Sequence, residues 1–351
     1  MEGAGKLRAP IRRSVGEISA PSQHDRDEAA AAGGAPDRLG EFLAHWPCLN
    51  EIEQSPAPAP TPAPDGLRIL AWNMERCKRV EETATVIQHA GADLVLASEM
   101  DIGMARSGQR QTPRDLAASL GFAHAFGVEF VELGIGDPQE TQAHMGEANR
   151  AGLHGNAILS RYPLEEVTLL PLDGGGEWYL RNPMNDGQLR VGGRMALAAT
   201  INLASGPITA AVVHLESVST PATRNRQIKT LLEALEALWP VRPMVIGGDL
   251  NTIGFTEAGM TGTQCLMAPE AAEPCFTTLA AHGYAWQGAN TAAFTTRPMP
   301  GVPAQYPMKK LDWLFVRGLL ASDPACIPAV SATGQYLSDH EAIGARVQAA
   351  I

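Results

Sequence analysis

Apolar runs that end abruptly in one polar side chain recur along most of this chain. Leu67-Arg68-Ile69-Leu70-Ala71-Trp72 ends in Asn73, Asp93-Leu94-Val95-Leu96-Ala97-Ser98 in Glu99, and Val245-Ile246-Gly247-Gly248 in Asp249. Runs of this length bounded by turn residues read as buried strands. The same pattern covers 155–159, 195–203, 208–213, 311–316 and 342–347. Helical spacing alternates with it. Ile228, Leu231, Leu232, Leu235 and Leu238 form one apolar face, and 80–90 is a second helix. A third helix runs from Thr112 to Leu120, with Thr112 as N-cap and Pro113 at the first helical position. Pattern alone leaves two architectures open: one parallel sheet with helices on both faces, or two packed sheets with helices outside.

The N-terminal part reads differently. Residues 1–38 are rich in Ala, Gly, Asp and Arg without apolar periodicity, which predicts a flexible arm. Residues 39–46 make a short helix that docks on the main body, and alternate prolines over 56–64 make a semi-rigid spacer. The expected division is a 1–64 arm and a 65–351 domain.

Composition narrows the function. A formal charge of −11 argues against a general nucleic-acid binder, whose affinity comes from neutralising phosphates. No apolar stretch approaches a membrane span, and Arg12-Arg13 has no apolar h-region after it, so the expected location is the cytoplasm. Five cysteines lack metal-type spacing; Cys265 and Cys275 would pair only in an oxidising compartment. Long loops are expected over 173–179 and 284–308, where substrate choice could reside.

The polar strand ends carry chemistry. Asn73 and Glu99 offer the hard oxygens that Mg²⁺ and Mn²⁺ prefer. Asp249 and Asn251 stand two apart, so in extended backbone both would face one cleft, and Gly247-Gly248 would let the chain approach a ligand closely. Ser338-Asp339-His340 sets a carboxylate beside an imidazole, and His214 closes the apolar run 210–213. Asp312, in Lys310-Leu311-Asp312-Trp313, is the candidate to hold the second ring nitrogen of His340.

In this order the Gly-Asp-x-Asn and Ser-Asp-His segments, with the other strand ends, resemble the endonuclease/exonuclease/phosphatase superfamily from about Leu67 to Val347. The resemblance implies an α/β fold, a four-layered sandwich of two mixed sheets packed face to face with helices on the outer faces. It implies Asn73, Glu99 and Asp339 as metal ligands for Mg²⁺ or Mn²⁺. It implies Asp249 as the residue that orients or activates water, Asn251 as a phosphate contact, and His214, His340 and Asp312 as the remaining catalytic set. The glycine-led segment 154–161 makes Asn156 a candidate cleft residue, and Arg194 is the candidate substrate-binding arginine; Arg106, Arg110, Arg114 and Arg190 read singly as surface charges. The expected activity is metal-dependent hydrolysis of a small-molecule or headgroup phosphoester. A nuclease on the same fold is the first alternative, but no basic, aromatic-laced groove supports it. A catalytically silent interaction module is the second.

Overall fold

The computed structural model describes residues 7–56, 62–298 and 308–349. Most of the proline spacer, and part of the expected loop 284–308, lie outside the described residues. In chain order the strands are β1 (Ser14–Val15), β2 (Ile52–Ser55), β3 (Gly66–Arg76), β4 (Leu94–Ile102), β5 (Ala123–Glu132), β6 (Leu153–Ser160) and β7 (Glu165–Pro171). They continue as β8 (Arg190–Gly192), β9 (Met195–Leu203), β10 (Gly206–His214), β11 (Met244–Asp249), β12 (Asp312–Arg317), β13 (Leu319–Ile327) and β14 (Ala342–Ala349). One sheet runs β1-β2-β5-β6-β4-β3-β14-β13, with β8 added on β5; the other runs β12-β11-β10-β9-β7. Both are mixed: β3 and β4 are parallel in the first, β10 and β11 in the second, and most other pairs are antiparallel.

Side-chain alternation along the strands builds the layers. Leu67, Ile69 and Ala71 of β3 pack with Leu197, Ala199, Ala210, Val212 and Leu314 between the sheets. Leu70 and Trp72, one step off, face a separate core with Val80, Ile87 and Leu116 of the outer helices. Beyond the second sheet, Ala211, Val213 and Ile246 pack on Ile228, Leu231, Leu232 and Leu235 of the helix Pro221–Leu238. This is the four-layered sandwich. A Cβ on Gly247 would stand 2.6 Å from Leu314 and 2.8 Å from Leu96, so this glycine lets the two sheets close on each other rather than a ligand approach. Thr112 does not cap its helix: the hydroxyl donates to the Asp101 carbonyl at 2.9 Å and accepts from the Asp101 N–H at 3.0 Å. Cys265 and Cys275 are separate buried thiols.

The expected flexible arm is corrected by the structure over its described part. Ser22 and Asp25 form a capping box that starts a helix at Gln23, a signal present in the sequence but masked by its alanine-rich surroundings. β2 pairs antiparallel with β5 and so extends the first sheet. Leu39, Phe42, Leu43, Trp46 and Leu49 join the same core as Trp72. Arg26, 2% exposed, donates to the carbonyls of Pro21, Asn149 and Ala151. Loss of one such large core side chain costs about 2–5 kcal/mol, against a total stability of about 5–15 kcal/mol. A chain starting at Asp65 is therefore expected to lose soluble folding. A soluble truncated chain with an unchanged thermal midpoint would show that 7–56 is an accessory layer only.

Candidate active site

The polar strand ends converge where the two sheets meet. Pairing places His214 opposite Asp249 and Asp249 opposite Asp312, while Asn73 lies beside Ser98 on the facing sheet. Asn73 Nδ2 spans the gap, donating to Asp249 Oδ2 and to Glu99 Oε1, each at 3.1 Å. Asp249 Oδ2 also lies 3.7 Å from His214 Nε2 and 3.8 Å from His340 Nε2. One carboxylate oxygen is thus flanked by two imidazoles and an amide.

The two histidines have different outer partners. His340 Nδ1 lies 2.7 Å from Asp312 Oδ2, a carboxylate with no exposure. Burial would lower the imidazolium's pKa, but Asp312 and Asp249 outweigh it and hold His340 well above the usual histidine range. Burial raises Asp249 in turn, yet His340 and His214 bring it below the ordinary value. Burial, with Asp249 next to it, leaves Asp312 above the ordinary value despite His340. His214 Nδ1 instead faces Arg194 Nη1 at 3.1 Å, with Glu129 Oε2 at 3.5 Å. A guanidinium N–H cannot turn acceptor, so in the tautomer that pairs with Arg194 Nδ1 accepts and Nε2 carries the ring proton, toward Asp249.

A left-handed turn organises the other side. Glu75, Arg76 and Cys77 follow Asn73 with φ of 41°, 74° and 51°, a region costly for side-chain-bearing residues, and Glu99 has φ 56° at a register shift between β3 and β4. The turn hydrogen-bonds Glu75 N to Asn73 Oδ1 and Glu75 Oε2 to the Asp339 N–H, and sets the Arg76 guanidinium on the Glu99 carboxylate. Glu99 fits a hard divalent cation: its carboxylate, 18% exposed, already draws a positive group in Arg76. Asn73 turns its Nδ2 toward Asp249 and Glu99 and its Oδ1 to the Glu75 N–H, so it would serve as an oxygen ligand only after its amide turned over. The Asp339 carboxylate makes no hydrogen bond to either of them; its tie to the site is through its backbone. Asp249, Asp312 and His340 also lie close enough to share an ion, but the short His340–Asp312 bond occupies two of the three.

Three candidates are placed otherwise than extended-strand reasoning suggested. Asn251 has φ 50°, its N–H donates to Asp249 Oδ1 and its amide to the Leu215 carbonyl, so it leaves the strand and braces Asp249. Asn156 is fully buried, with its Nδ2 on the Met195 carbonyl at 3.2 Å, and lines no cleft. Arg194, 3% exposed, spends its donors on Glu129, Glu216 and His214.

Sequence reading missed Glu129, Glu216 and the cluster of Asp101, Arg106, Glu132, Glu140 and His154. Arg106 is buried against Asp101 at 2.9 Å and Glu140 at 2.9 Å, and Asp101 bonds His154 at 2.8 Å. The only signal was charge inside apolar strands such as 123–132. Burial, aided by Arg106 and Arg76 against Asp101, holds His154 down to about 4. Burial would raise Glu140, but Arg76 and Arg106 hold it at about 2. Both groups take up protons more readily when unfolded, where histidine titrates near about 6.5 and glutamate near about 4.3. The contribution of the cluster is therefore complete above about pH 6.5, is lost through His154 as pH falls from about 6.5 to about 4, and is lost further through Glu140 from about pH 4.3 to about 2. The thermal midpoint followed from pH 7 to pH 3 checks this; a flat profile would show the cluster to be unimportant.

The family model described as Endonuclease/Exonuclease/phosphatase family matches residues 70–340. The chain belongs to this family. Family members are generally hydrolases of phosphoester bonds and typically use divalent metals. The uncharacterized protein YbhP of Escherichia coli K12 is 28% identical over 199 residues, which is 56% of this chain and 63% of YbhP. The chain thus spans less than two thirds of that relative. Among solved structures, an endonuclease/exonuclease/phosphatase from Beutenbergia cavernae aligns with TM-score 0.56 and 19% identity, covering 81% of this chain and 72% of that one. The human Nocturnin catalytic domain aligns with TM-score 0.53 and 16% identity over 84% and 96%. At these identities the structures speak for the fold. No helix among the described residues is long and apolar enough to cross a membrane.

Proposed function

We propose that this protein hydrolyses a phosphoester of a small molecule or headgroup, with Mg²⁺ or Mn²⁺ held by Asn73 and Glu99 and supported by Asp339. The observation that carries this reading is Asp249 Oδ2 between two imidazole Nε2 atoms, with His340 backed by Asp312. A bound cation would neutralise the charge on the phosphoryl oxygens. Asp249 orients the attacking water and accepts its proton, braced by the Asn251 N–H. His340, held as a cation by two carboxylates, donates to the phosphoryl oxygens or to the leaving oxygen. His214 presents Nε2–H to the same space, and Arg194 keeps it there.

The arginine distribution favours this over a strand-tracking nuclease. Arg106 and Arg194 are buried and matched by carboxylates, and the whole chain is acidic, so they form no continuous basic track. The test is a panel of phosphomonoesters, phosphodiesters, lipid headgroup esters and DNA, each with Mg²⁺, Mn²⁺ and chelator. The expected result is turnover of small phosphoesters that chelator abolishes. Preferential cleavage of DNA would favour the nuclease reading, and no turnover of any member the silent one.

A further inference from the structure

Four arginines, Arg76, Arg106, Arg190 and Arg194, lie among the carboxylates around the site, and three are spoken for. Arg76 sits on Glu99 and Glu140, Arg106 on Asp101 and Glu140, and Arg194 on Glu129, Glu216 and His214. Arg190 differs. It is 9% exposed, and its one charged partner among the described residues is Glu132, with Nε 3.1 Å from Oε1 but no aligned hydrogen bond. Its Nη1 and Nη2 donate to none of the described residues. The guanidinium is nevertheless held firmly, 4.4 Å over the Trp178 ring and 5.5 Å over that of Phe130. Trp178 is fixed in turn, its Nε1–H donating at 3.0 Å to Glu216, the carboxylate that also holds Arg194.

A buried arginine normally fills its donors, because each unfilled one costs desolvation. A stacked guanidinium with an open fork is built to receive an oxyanion in two parallel hydrogen bonds. Its position says which oxyanion. Arg190 is in register with Glu132, three residues along β5 from Glu129, which holds Arg194 and lies beside His214. That offset is about 10 Å along a strand. We propose that Arg190 binds a second anionic group of the substrate, a phosphate set apart from the phosphoester that is cleaved. The inference rests on the phosphoesterase reading and narrows its substrate class to molecules carrying two phosphates.

The experiment compares the p-nitrophenyl ester of thymidine 5′-phosphate with and without a 3′-phosphate, which differ only in the second anion. In the full chain, Arg190→Gln should lower kcat/KM on the bisphosphate at least about tenfold more than on the monophosphate, chiefly through KM, as expected for a charge-assisted bidentate bond. Arg190→Lys, which keeps a cation for Glu132 but lacks the fork, should show the same bias in smaller measure. A readout independent of turnover is titration with inorganic phosphate in chelator, followed by tryptophan fluorescence. Binding should weaken at least about fivefold in both variants. Should Arg190→Gln fail to fold, Arg190→Lys decides alone. Equal losses on both esters, with unchanged phosphate affinity, would reduce Arg190 to a counter-ion for Glu132. Phosphate binding that depends on Arg190 in a protein inert toward both esters would refute the phosphoesterase reading and leave the anion site standing.

Discussion

Glu99→Gln is expected to lower phosphoester turnover by at least about 10²-fold, since a cation's electrostatic contribution to such a reaction is worth several kcal/mol. The substitution keeps shape and removes the charge. Its side chain is 18% exposed at the irregularity inside β4, outside the three apolar cores, so the fold should persist. Two measurements check the cause. Calorimetric titration with Mn²⁺ should show binding to the native chain and strongly weakened binding to the variant, and raising Mn²⁺ should restore part of the lost turnover. Native metal affinity in Glu99→Gln would remove Glu99 from the metal site. Full activity of the native chain in chelator would remove the metal from the reaction altogether.

Glu99 also shows what the sequence makes legible and what it does not. The apolar run 94–97 marks a buried strand whatever surrounds it, because period and length suffice for that. The same holds for β3, β6, β9, β10, β11, β12 and β14, and for the helix Pro221–Leu238. His214 and Asp249 close their strands and Asn73 stands at the register shift inside β3, each the polar residue that interrupts an apolar run, which is why they stood out together. Six strands escaped: β1, β2 and β8 are four residues or shorter, and the other three escaped for different reasons. β5 carries His124, Glu129 and Glu132 inside an apolar run, and their polarity reads as exposure until Glu53, Arg194 and Arg190 are seen to pair with them. β7 begins with two glutamates, and β13 is a largely exposed edge strand. The N-terminal layer was illegible because alanine-rich composition imitates disorder, while the burial of Arg26 depends on carbonyls more than 120 residues away. Asn251 failed for a local reason: the argument from alternation assumed extended backbone, and its left-handed φ breaks the alternation. Sequence reading chose Arg194 over Arg190 as the substrate-binding arginine, with little in the residues themselves to separate the two. They stand four apart in one glycine-rich segment, and only the carboxylates around them show that one has its donors filled and the other open.

Asp249→Asn and His340→Ala should act on the reaction step more than on substrate affinity. Among the described residues Asp249 is the one carboxylate within reach of both imidazoles and of the Asn73 amide, and the amide that replaces it cannot accept a proton from water. His340 is held charged by Asp312 and Asp249, so its donation strengthens as the phosphoryl oxygens gain charge. Interactions made mainly in the transition state lower kcat and kcat/KM together when removed. Each substitution is therefore expected to cost at least about 10²-fold in kcat, the lower range for general acid–base catalysis. Asp312→Asn should cost less, since it leaves the imidazole in place but takes away the carboxylate that aligns and charges it. Combining Asp312→Asn with His340→Ala should add little to His340→Ala alone, because a residue that acts through the imidazole has nothing left to position. Strict additivity of the two would show that Asp312 works independently of His340. A raised KM with native kcat in Asp249→Asn would place that carboxylate in binding, and the water would need another acceptor. On the His214 side Glu216 is taken up with Arg194 and Trp178, while Glu129 gives one oxygen to Arg194 and leaves Oε2, 3.5 Å from His214 Nδ1, as the acceptor to test next.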